Sequence, residues 1–338
     1  MQFIRTLAVA SAVTAWLAGS AVASTLDTVK EKGFVNIGVS GKVIGFSAPD
    51  AKGEWTGLDV DYGRAVAAAI FNDPGKARFT PVAFKEAFTA LQSGEIDVLS
   101  RNTTWTYQRD TKLGLEFVGT IFYDGQGFLV KKSLGVKSAK ELNGASICTQ
   151  AGTTTELNIS DYFSANKMTF KPVVYESADE ATVIYDSGRC DVYTTDASAL
   201  AARRSTLGNP KDHMILPEVI SKEPLGPAVR QGDQQWSDIG RWVLFAMINA
   251  EELGITSKNV DEMMKSTNPE IQRFLGVDAN YGEYMGLPRD WAYRIIKHVG
   301  NYGEIYERNV GPNTGLGLER GVNALWSKGG IMYAPPIR

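Results

Sequence analysis

The sequence contains little of the chemistry that catalytic and metal sites require. Its 338 residues include two cysteines and two histidines, His213 and His298. No cluster of histidine, cysteine and aspartate has the spacing of metal ligands. Neither histidine lies near a Gly-x-Ser-x-Gly elbow, and the lysine of a phosphate-binding loop is missing. These absences favour a binding protein over an enzyme and predict that it uses no metal or cofactor.

An excess of positive charge is missing as well. The chain has 35 lysines and arginines against 38 aspartates and glutamates, and the basic residues form no stripe. Nucleic acids and anionic membrane surfaces are bound through such stripes. We therefore expect neither of them as a partner.

The one long apolar run lies at the N-terminus. Residues 7–17 are apolar apart from one serine and one threonine, and this run of about ten residues is too short to span a membrane. Arg5 precedes it, and Ala21-Val22-Ala23 has the small-x-small pattern of a signal-peptidase site. The sequence predicts a signal peptide at 1–23, cleaved before Ser24. An ordinary buried N-terminal helix is the alternative, but it would not explain this order of features.

Two later segments share one order of strands and helices. Between residues 34 and 100, buried runs alternate with amphipathic ones as strand, helix, strand, helix, strand. The same order starts again after residue 140 and ends with a strand at 190–195. The fragments Ser-Gly-Glu-Ile-Asp-Val at 93–98 and Ser-Gly-Arg-Cys-Asp-Val at 187–192 occupy equivalent places. This order predicts two α/β lobes, each with a parallel sheet covered by helices.

The connections between these lobes contain glycine. Residues 123–130 and 222–229 combine it with β-branched or aromatic residues, which favours two strands that cross between the lobes. The first lobe is then formed by 24–125 and 226–338, and the second by 126–225. Two lobes joined by two strands make a hinged clamp.

The C-terminal part of the chain is predicted to be helical. Residues 236–252 place apolar side chains on one face of a helix, and residues 290–306 are predicted to form a second such helix. We expect both helices to pack against the first lobe.

Cys148 and Cys190 both lie on predicted strands of the second lobe. In an exported protein an even number of cysteines favours a disulfide. Such a bridge would stabilise the fold by about 4 kcal/mol in the chain-entropy model. Two buried free thiols are the alternative.

Polar side chains follow the predicted strands where a ligand is expected. The carboxyl ends of parallel strands meet at one edge of a sheet. Arg109, shortly after the strand that ends near Ser100, can bind a carboxylate through two donors. Asp196, at the end of a second-lobe strand, can bind an ammonium group. The alternatives are a solvated arginine beside Asp110 and an aspartate that caps the next helix.

A third feature is the start of the helix after residue 150. Thr153 is predicted as its N-cap, and Glu156 would complete a capping box. The amides of a helix start attract anions, although plain capping without a ligand is the alternative. Together with Arg109 and Asp196, these groups suit the carboxylate and ammonium of an α-amino acid.

Five stretches of the chain resemble the polar amino-acid branch of the periplasmic binding proteins, and in particular its general L-amino-acid binding proteins. They are Leu-Gln-Ser-Gly-Glu-Ile-Asp at 91–97, Ser-Arg-Asn-Thr-Thr-Trp at 100–105, Tyr-Asp-Gly-Gln-Gly-Phe at 123–128, Gly-Thr-Thr-Thr-Glu-Leu-Asn at 152–158 and Gly-Arg-Cys-Asp-Val-Tyr-Thr-Thr-Asp at 188–196. The resemblance covers the whole exported chain. It implies the periplasmic-binding-protein type II fold, and a monomer that delivers free L-amino acids to an inner-membrane ABC permease from the periplasm.

The resemblance also implies roles for single residues. Arg109 matches the arginine that binds the α-carboxylate, and Asp196 matches the aspartate that binds the α-ammonium. The other matching contacts are Asn102, Thr104, Thr153 and Thr154. Cys148 and Cys190 match a cysteine pair of this subfamily, which supports the disulfide.

One departure bears on specificity. Val43 stands where histidine- and arginine-specific relatives carry an aromatic stacking residue, which favours a broad range of ligands. A periplasmic dehydratase-like enzyme on the same fold is the alternative function, and a sensor or adhesin is a third.

Overall fold

The computed structural model describes residues 24–338, so the expected signal peptide lies outside the described residues. The helices are α1 (Thr25–Lys32), α2 (Leu58–Phe71), α3 (Phe84–Ser93), α4 (Tyr107–Lys112), α5 (Thr154–Ala165), α6 (Ala178–Asp186), α7 (Ala197–Thr206), α8 (Gln234–Glu252), α9 (Val260–Met263), α10 (Pro269–Phe274), α11 (Trp291–His298) and α12 (Tyr302–Asn309). The strands are β1 (Val35–Val39), β2 (Ala48–Pro49), β3 (Trp55–Thr56), β4 (Ala77–Pro81), β5 (Val98–Leu99), β6 (Leu115–Phe117), β7 (Phe122–Asp124), β8 (Gln126–Lys131), β9 (Ser146–Gln150), β10 (Lys171–Tyr175), β11 (Val192–Asp196), β12 (His213–Ile215), β13 (Glu223–Leu225) and β14 (Ala228–Arg230). None of the helices within 24–338 is long and apolar enough to cross a membrane.

Each lobe contains a five-stranded sheet, in the order β4-β1-β5-β14-β6 in the first and β10-β9-β11-β8-β12 in the second. The predicted parallel pairing is present within β4-β1-β5 and within β10-β9-β11. The prediction of a parallel sheet is wrong for β14 and β8, which run antiparallel to their neighbours. The chain enters each of these strands from a connection between the lobes. It therefore does not pass through the crossover helix that a parallel neighbour requires.

The two similar sequence fragments have the same structural role. The Asp97 carboxylate accepts a hydrogen bond from the backbone N of Asn36, at 2.7 Å, on β1. The Asp191 carboxylate accepts one from the backbone N of Ser146, at 2.9 Å, on β9. Each aspartate therefore ties the amino-terminal end of the first strand of the predicted pattern, β1 or β9, to the turn that precedes its third strand, β5 or β11.

A two-stranded antiparallel sheet joins the lobes and forms the hinge. It pairs β7 with β13, with Asp124 opposite Glu223 and Phe122 opposite Leu225. The predicted pair of crossing strands is therefore present. We retain the boundaries 24–125, 126–225 and 226–338 as a proposal, because the five strands of the second sheet all lie within 126–225.

Cys148 and Cys190 form the expected disulfide, with a Cα–Cα distance of 5.7 Å. Cys148 lies on β9, and Cys190 lies just before β11. Both are buried in the core of the second lobe, against Tyr185 and Tyr193.

The C-terminal helices pack on the first lobe, where α11 lies against α2 and α8. The single helix predicted over 290–306 is wrong, because α11 ends at His298 and α12 begins at Tyr302. Gly300 adopts φ 97° between them. Asn301 then starts α12 with a capping box completed by Glu304. This local chemistry ends one helix and starts the next within an apolar pattern that is otherwise continuous.

Candidate ligand-binding site

A cavity of about 350 Å³ lies between the two lobes, at the carboxyl ends of β5, β9 and β11. Residues of both lobes form its walls. All six predicted ligand-binding residues line it: Asn102, Thr104, Arg109, Thr153, Thr154 and Asp196. The rule that ligands bind at the carboxyl ends of parallel strands therefore located the cavity correctly.

Arg109 lies on α4 and is 7% exposed, so the alternative of a solvated surface arginine is wrong. The Thr106 side chain caps this helix and accepts a hydrogen bond from the Arg109 backbone N. One guanidinium nitrogen, Nη1, donates to the Thr104 carbonyl oxygen at 2.8 Å. The guanidinium carbon lies 5.2 Å and 5.5 Å from the ring centres of Phe84 and Phe88. The two rings and the carbonyl hold the guanidinium in place on the cavity wall.

Asp196 ends β11 and occupies the N-cap position of α7, but its side chain accepts no hydrogen bond from the first amides of that helix. The capping alternative is therefore wrong. Burial raises the pKa of the Asp196 carboxyl well above its ordinary value, and the nearby carboxylates of Asp124 and Glu223 raise it further. Arg109 opposes this rise. A half-buried carboxylate among other acids is well suited to a cationic partner.

The hinge supplies the two other acids. Glu223 is 2% exposed, and its Oε2 accepts from the Thr104 hydroxyl at 2.6 Å. Its Oε1 accepts from Asn158 Nδ2 and from the Ser221 hydroxyl, each at 2.7 Å. Thr104 belongs to the first lobe and Asn158 lies on α5 of the second, so Glu223 connects both lobes through the hinge.

Asp124 is the second hinge acid. It accepts hydrogen bonds from the Ser198 hydroxyl and from the Gly125 backbone N. Burial raises the pKa of the Asp124 carboxyl to about 6, although these hydrogen bonds oppose the rise. The sequence interpretation missed both hinge acids. The signal available was an acid beside glycine or proline in each crossing segment, Asp124-Gly125 and Glu223-Pro224.

Thr153 and Thr154 lie at the start of α5, where the predicted capping box is wrong. The Thr153 hydroxyl donates to the Gln150 carbonyl oxygen at 2.7 Å instead of accepting from the helix. The Glu156 carboxylate accepts from the backbone N of Gly152 at 2.9 Å, one residue before the cap. No side chain therefore caps the first amides of α5 at the cavity, which leaves a helix start that suits an anion.

Asn102 is held in an unusual backbone conformation, with φ 55°, which asparagine tolerates better than most residues. Its backbone N donates to Asp59 Oδ2 at 3.2 Å, and the Ser100 hydroxyl donates to Asp59 Oδ1 at 2.8 Å. Burial raises the pKa of the Asp59 carboxyl to about 7. Asp59 lies in the first turn of α2, and the sequence interpretation did not single it out. Its role here is to fix the loop that carries Asn102.

Comparison with known proteins assigns the family. A family model for bacterial extracellular solute-binding proteins, family 3, matches residues 35–273. The chain belongs to this family. The predicted periplasmic-binding-protein type II fold is confirmed.

Two relatives match this solute-binding protein over nearly all of its length. The general L-amino acid-binding periplasmic protein AapJ of Rhizobium johnstonii is 61% identical, over 98% of each chain. The glutamate/glutamine/aspartate/asparagine-binding protein BztA of Rhodobacter capsulatus is 54% identical, over 97% of each chain. Both are named as binding proteins, so the dehydratase-like alternative is not favoured.

A solved structure is similar throughout. It is an ABC transporter periplasmic binding protein from Brucella ovis with glutathione bound, 59% identical, with a TM-score of 0.92 over 94% of this chain and 100% of that one. An ancestral arginine-binding protein bound to arginine is 28% identical, with a TM-score of 0.57, and covers 68% of this chain and 97% of its own. About a third of the present chain therefore has no counterpart in that smaller protein.

Within residues 24–338, no group of three or more histidine, cysteine, aspartate or glutamate residues is arranged to hold a metal ion.

Proposed function

We propose that this protein binds free L-amino acids in the periplasm and delivers them to an inner-membrane ABC permease. The observation that carries this proposal is that Arg109 and Asp196 line one cavity from different lobes. An α-amino acid carries a carboxylate and an ammonium on one carbon. A ligand held by both residues therefore links the two lobes.

The carboxylate binds the Arg109 guanidinium and the uncapped amides at the start of α5, by Thr153 and Thr154. Arg109 already donates to the Thr104 carbonyl, which leaves further N–H groups for the ligand. Two parallel N–H···O bonds from a guanidinium fix both the position and the plane of a carboxylate.

The ammonium binds the Asp196 carboxylate and is attracted by the neighbouring hinge acids. The Thr104 hydroxyl donates to Glu223, so its oxygen can act toward the ligand only as an acceptor. We assign Thr104 mainly to the positioning of Arg109 and Glu223. Asn102 contributes an amide that can both donate and accept.

Closure of the lobes over the ligand makes the protein a carrier. Lys85 on α3 and Glu176 after β10 form an ion pair between the lobes in this structure. Each is largely exposed, at 59% and 67%, so their attraction adds little to the stability of the closed form. Closure is therefore driven by ligand contacts that exist only when the lobes meet.

Isothermal titration calorimetry with the twenty amino acids tests the proposal on protein freed of carried ligand. We expect several L-amino acids to bind with micromolar or tighter dissociation constants, about −8 kcal/mol or better. Their D-enantiomers should bind much more weakly, because a D-form with its carboxylate at Arg109 and its ammonium at Asp196 directs its side chain toward a different part of the cavity wall. Absence of binding by every L-amino acid would contradict the proposal.

Two further points belong to the same proposal. The mature protein begins at Ser24 and acts as a monomer. Mass spectrometry of the protein isolated from the periplasm should give the mass of residues 24–338, and light scattering should give that of one chain.

A further inference from the structure

The cavity has more positive charge on its walls than the two ends of an amino acid require. Besides Arg109, two further arginines line it, Arg101 from the loop after β5 and Arg203 from α7. They come from different lobes. Arg109 and Asp196 suffice for the carboxylate and ammonium, so Arg101 and Arg203 are left for the side chain of the ligand.

Buried polar atoms without partners are concentrated at these residues. Arg101 Nε and Arg203 Nη2 are buried, and neither has a hydrogen-bond partner among the described residues. The side-chain oxygen and nitrogen of Asn102, beside Arg101, are also buried without a hydrogen-bond partner among the described residues. A buried donor without a partner is costly, and native proteins satisfy almost all of them. These four atoms therefore indicate where a ligand places its polar atoms.

The surroundings of Arg101 do not supply a strong counter-charge. Its guanidinium carbon lies 5.4 Å from the ring centre of Phe84, the ring that also packs near Arg109. Asp59 is the nearby acid, but its two oxygens accept from the Ser100 hydroxyl and the Asn102 backbone N. Burial lowers the pKa of Arg101 to about 10, Asp59 opposes this, and Arg109 adds to it. The guanidinium stays charged at neutral pH.

Arg203 faces aromatic residues of the second lobe. It lies close enough to Tyr193 to act on the hydroxyl of that residue, whose pKa is raised chiefly by burial and lowered by Arg203. Tyr175 and Tyr193 line the cavity beside it. Two acids of the second lobe also line the cavity, Glu176 and Asp196. Glu176 is paired with Lys85, and Asp196 is assigned to the ligand ammonium.

We propose that Arg101 and Arg203 form a subsite for a second carboxylate, so that the protein prefers L-amino acids with an anionic side chain. This rests on the proposed function, since it places the backbone of the ligand at Arg109 and Asp196. The Asn102 amide lets the same subsite accept a carboxamide with lower affinity. A γ-glutamyl peptide has the same α-amino acid end and a further carboxylate, so it belongs to the same ligand chemistry.

The comparison of L-glutamate with L-glutamine isolates the subsite, because the two differ by one charge and have nearly the same shape. Titration calorimetry should give the wild type a lower dissociation constant for glutamate. In Arg203→Gln we expect the dissociation constant for glutamate to rise at least tenfold. The dissociation constants for glutamine and L-alanine should change by less than threefold. Arg204→Gln is the matched control, since Arg204 is its neighbour on α7 and does not line the cavity.

Each outcome decides the matter. If Arg203→Gln weakens the binding of glutamate and of alanine by the same factor, Arg203 has a structural role and the subsite is overturned. Unchanged binding of glutamate in this variant would overturn the subsite as well. If Arg203→Gln lacks the wild-type circular dichroism spectrum, Arg101→Gln asks the same question from the first lobe. If the wild type binds alanine and glutamine but does not prefer glutamate, the subsite fails while the proposed function stands. If it binds no amino acid, the proposed function itself fails.

The second carboxylate can belong to a free acidic amino acid or to a γ-glutamyl peptide, and titration with reduced glutathione distinguishes the two. If it binds more tightly than glutamate and depends equally on Arg203, the subsite holds and its ligand is the γ-glutamyl peptide. If it does not bind, the subsite serves free acidic amino acids.

Discussion

The Asn323 side chain forms hydrogen bonds with both backbone polar groups of Tyr123. Its Oδ1 accepts from Tyr123 N at 2.7 Å, and its Nδ2 donates to Tyr123 O at 3.0 Å. Tyr123 is the central residue of β7, so the amide occupies the place that a third strand would take beside the hinge. Asn323 is 4% exposed and lies beyond the 35–273 match to the family model. The C-terminal segment therefore supports the hinge, in addition to packing on the first lobe.

Replacement of Asn323 by alanine should loosen the hinge. It leaves the N–H and C=O of Tyr123 without their partners, and we expect a loss of about 2 kcal/mol in the free energy of unfolding. Hydrogen exchange at the Tyr123 amide should become faster. Asn249→Ala is the control, because the Asn249 side chain also donates to a backbone carbonyl oxygen, that of Pro335, but on α8 and not at β7. The distance from Asn249 Nδ2 to Pro335 O is 2.8 Å. Unchanged exchange at Tyr123 would contradict this role of Asn323.

Removal of the Arg109 charge should weaken binding of every amino acid. In Arg109→Gln the ligand carboxylate is still buried but has no cationic partner. The loss of binding free energy is about 2–5 kcal/mol, which raises the dissociation constant roughly 30-fold to several thousand-fold. Arg109→Lys keeps the charge without the two parallel donors and should fall between this variant and the wild type. Titration with L-alanine measures the effect, and Arg204→Gln should bind as the wild type does. Wild-type affinity in Arg109→Gln would show that the assigned site is wrong.

Acid should weaken ligand binding through the carboxylates near the ammonium. The pKa values of Asp196 and Asp124 are raised, the latter to about 6, so part of this cluster holds protons in mildly acidic solution. Because the ammonium favours the ionised acids, binding releases these protons, and the affinity should fall as the pH is lowered through about 6. Each proton released gives a slope of about one decade per pH unit.

Calorimetry in buffers with different ionisation enthalpies counts the protons released on binding. In Asp196→Asn we expect weaker binding and a flatter pH profile, because one of the titrating groups is removed. An affinity that is constant between neutral pH and the onset of acid unfolding would contradict the assignment of the ammonium to this cluster.

Loss of the disulfide should destabilise the second lobe. The bridge joins residues separated by 42 positions, and the chain-entropy model predicts a loss of about 4 kcal/mol without it. We expect a double variant, Cys148→Ala with Cys190→Ala, to unfold at lower urea concentration than the wild type. Reducing agent should lower the stability of the wild type and leave the double variant unchanged. Equal stability of both proteins would show that packing alone holds β9 beside β11.

Local capping was the least successful part of the sequence interpretation. Thr153 and Asp196 both precede helices and both match capping preferences, yet neither side chain caps its helix. The Thr153 hydroxyl donates backwards to Gln150, and the Asp196 carboxylate lies among acids from the hinge. A cap is a local preference of about 1 kcal/mol, and tertiary surroundings readily override it.

The order of strands and helices along the chain predicted the two lobes, the crossing strands and the edge of each sheet that lines the cavity. These features follow from short-range periodicity, because the strand–helix order places the carboxyl ends of the strands together. Arg109 and Asp196 were expected at this edge for the same reason, and the resemblance to a family implies the roles proposed for them. Only the tertiary structure brought Glu223 to Thr104 and Asn158, Asn323 to Tyr123, and Arg101 and Arg203 to one cavity. These contacts join residues far apart in the chain, and no periodic pattern records which distant side chains folding will bring together.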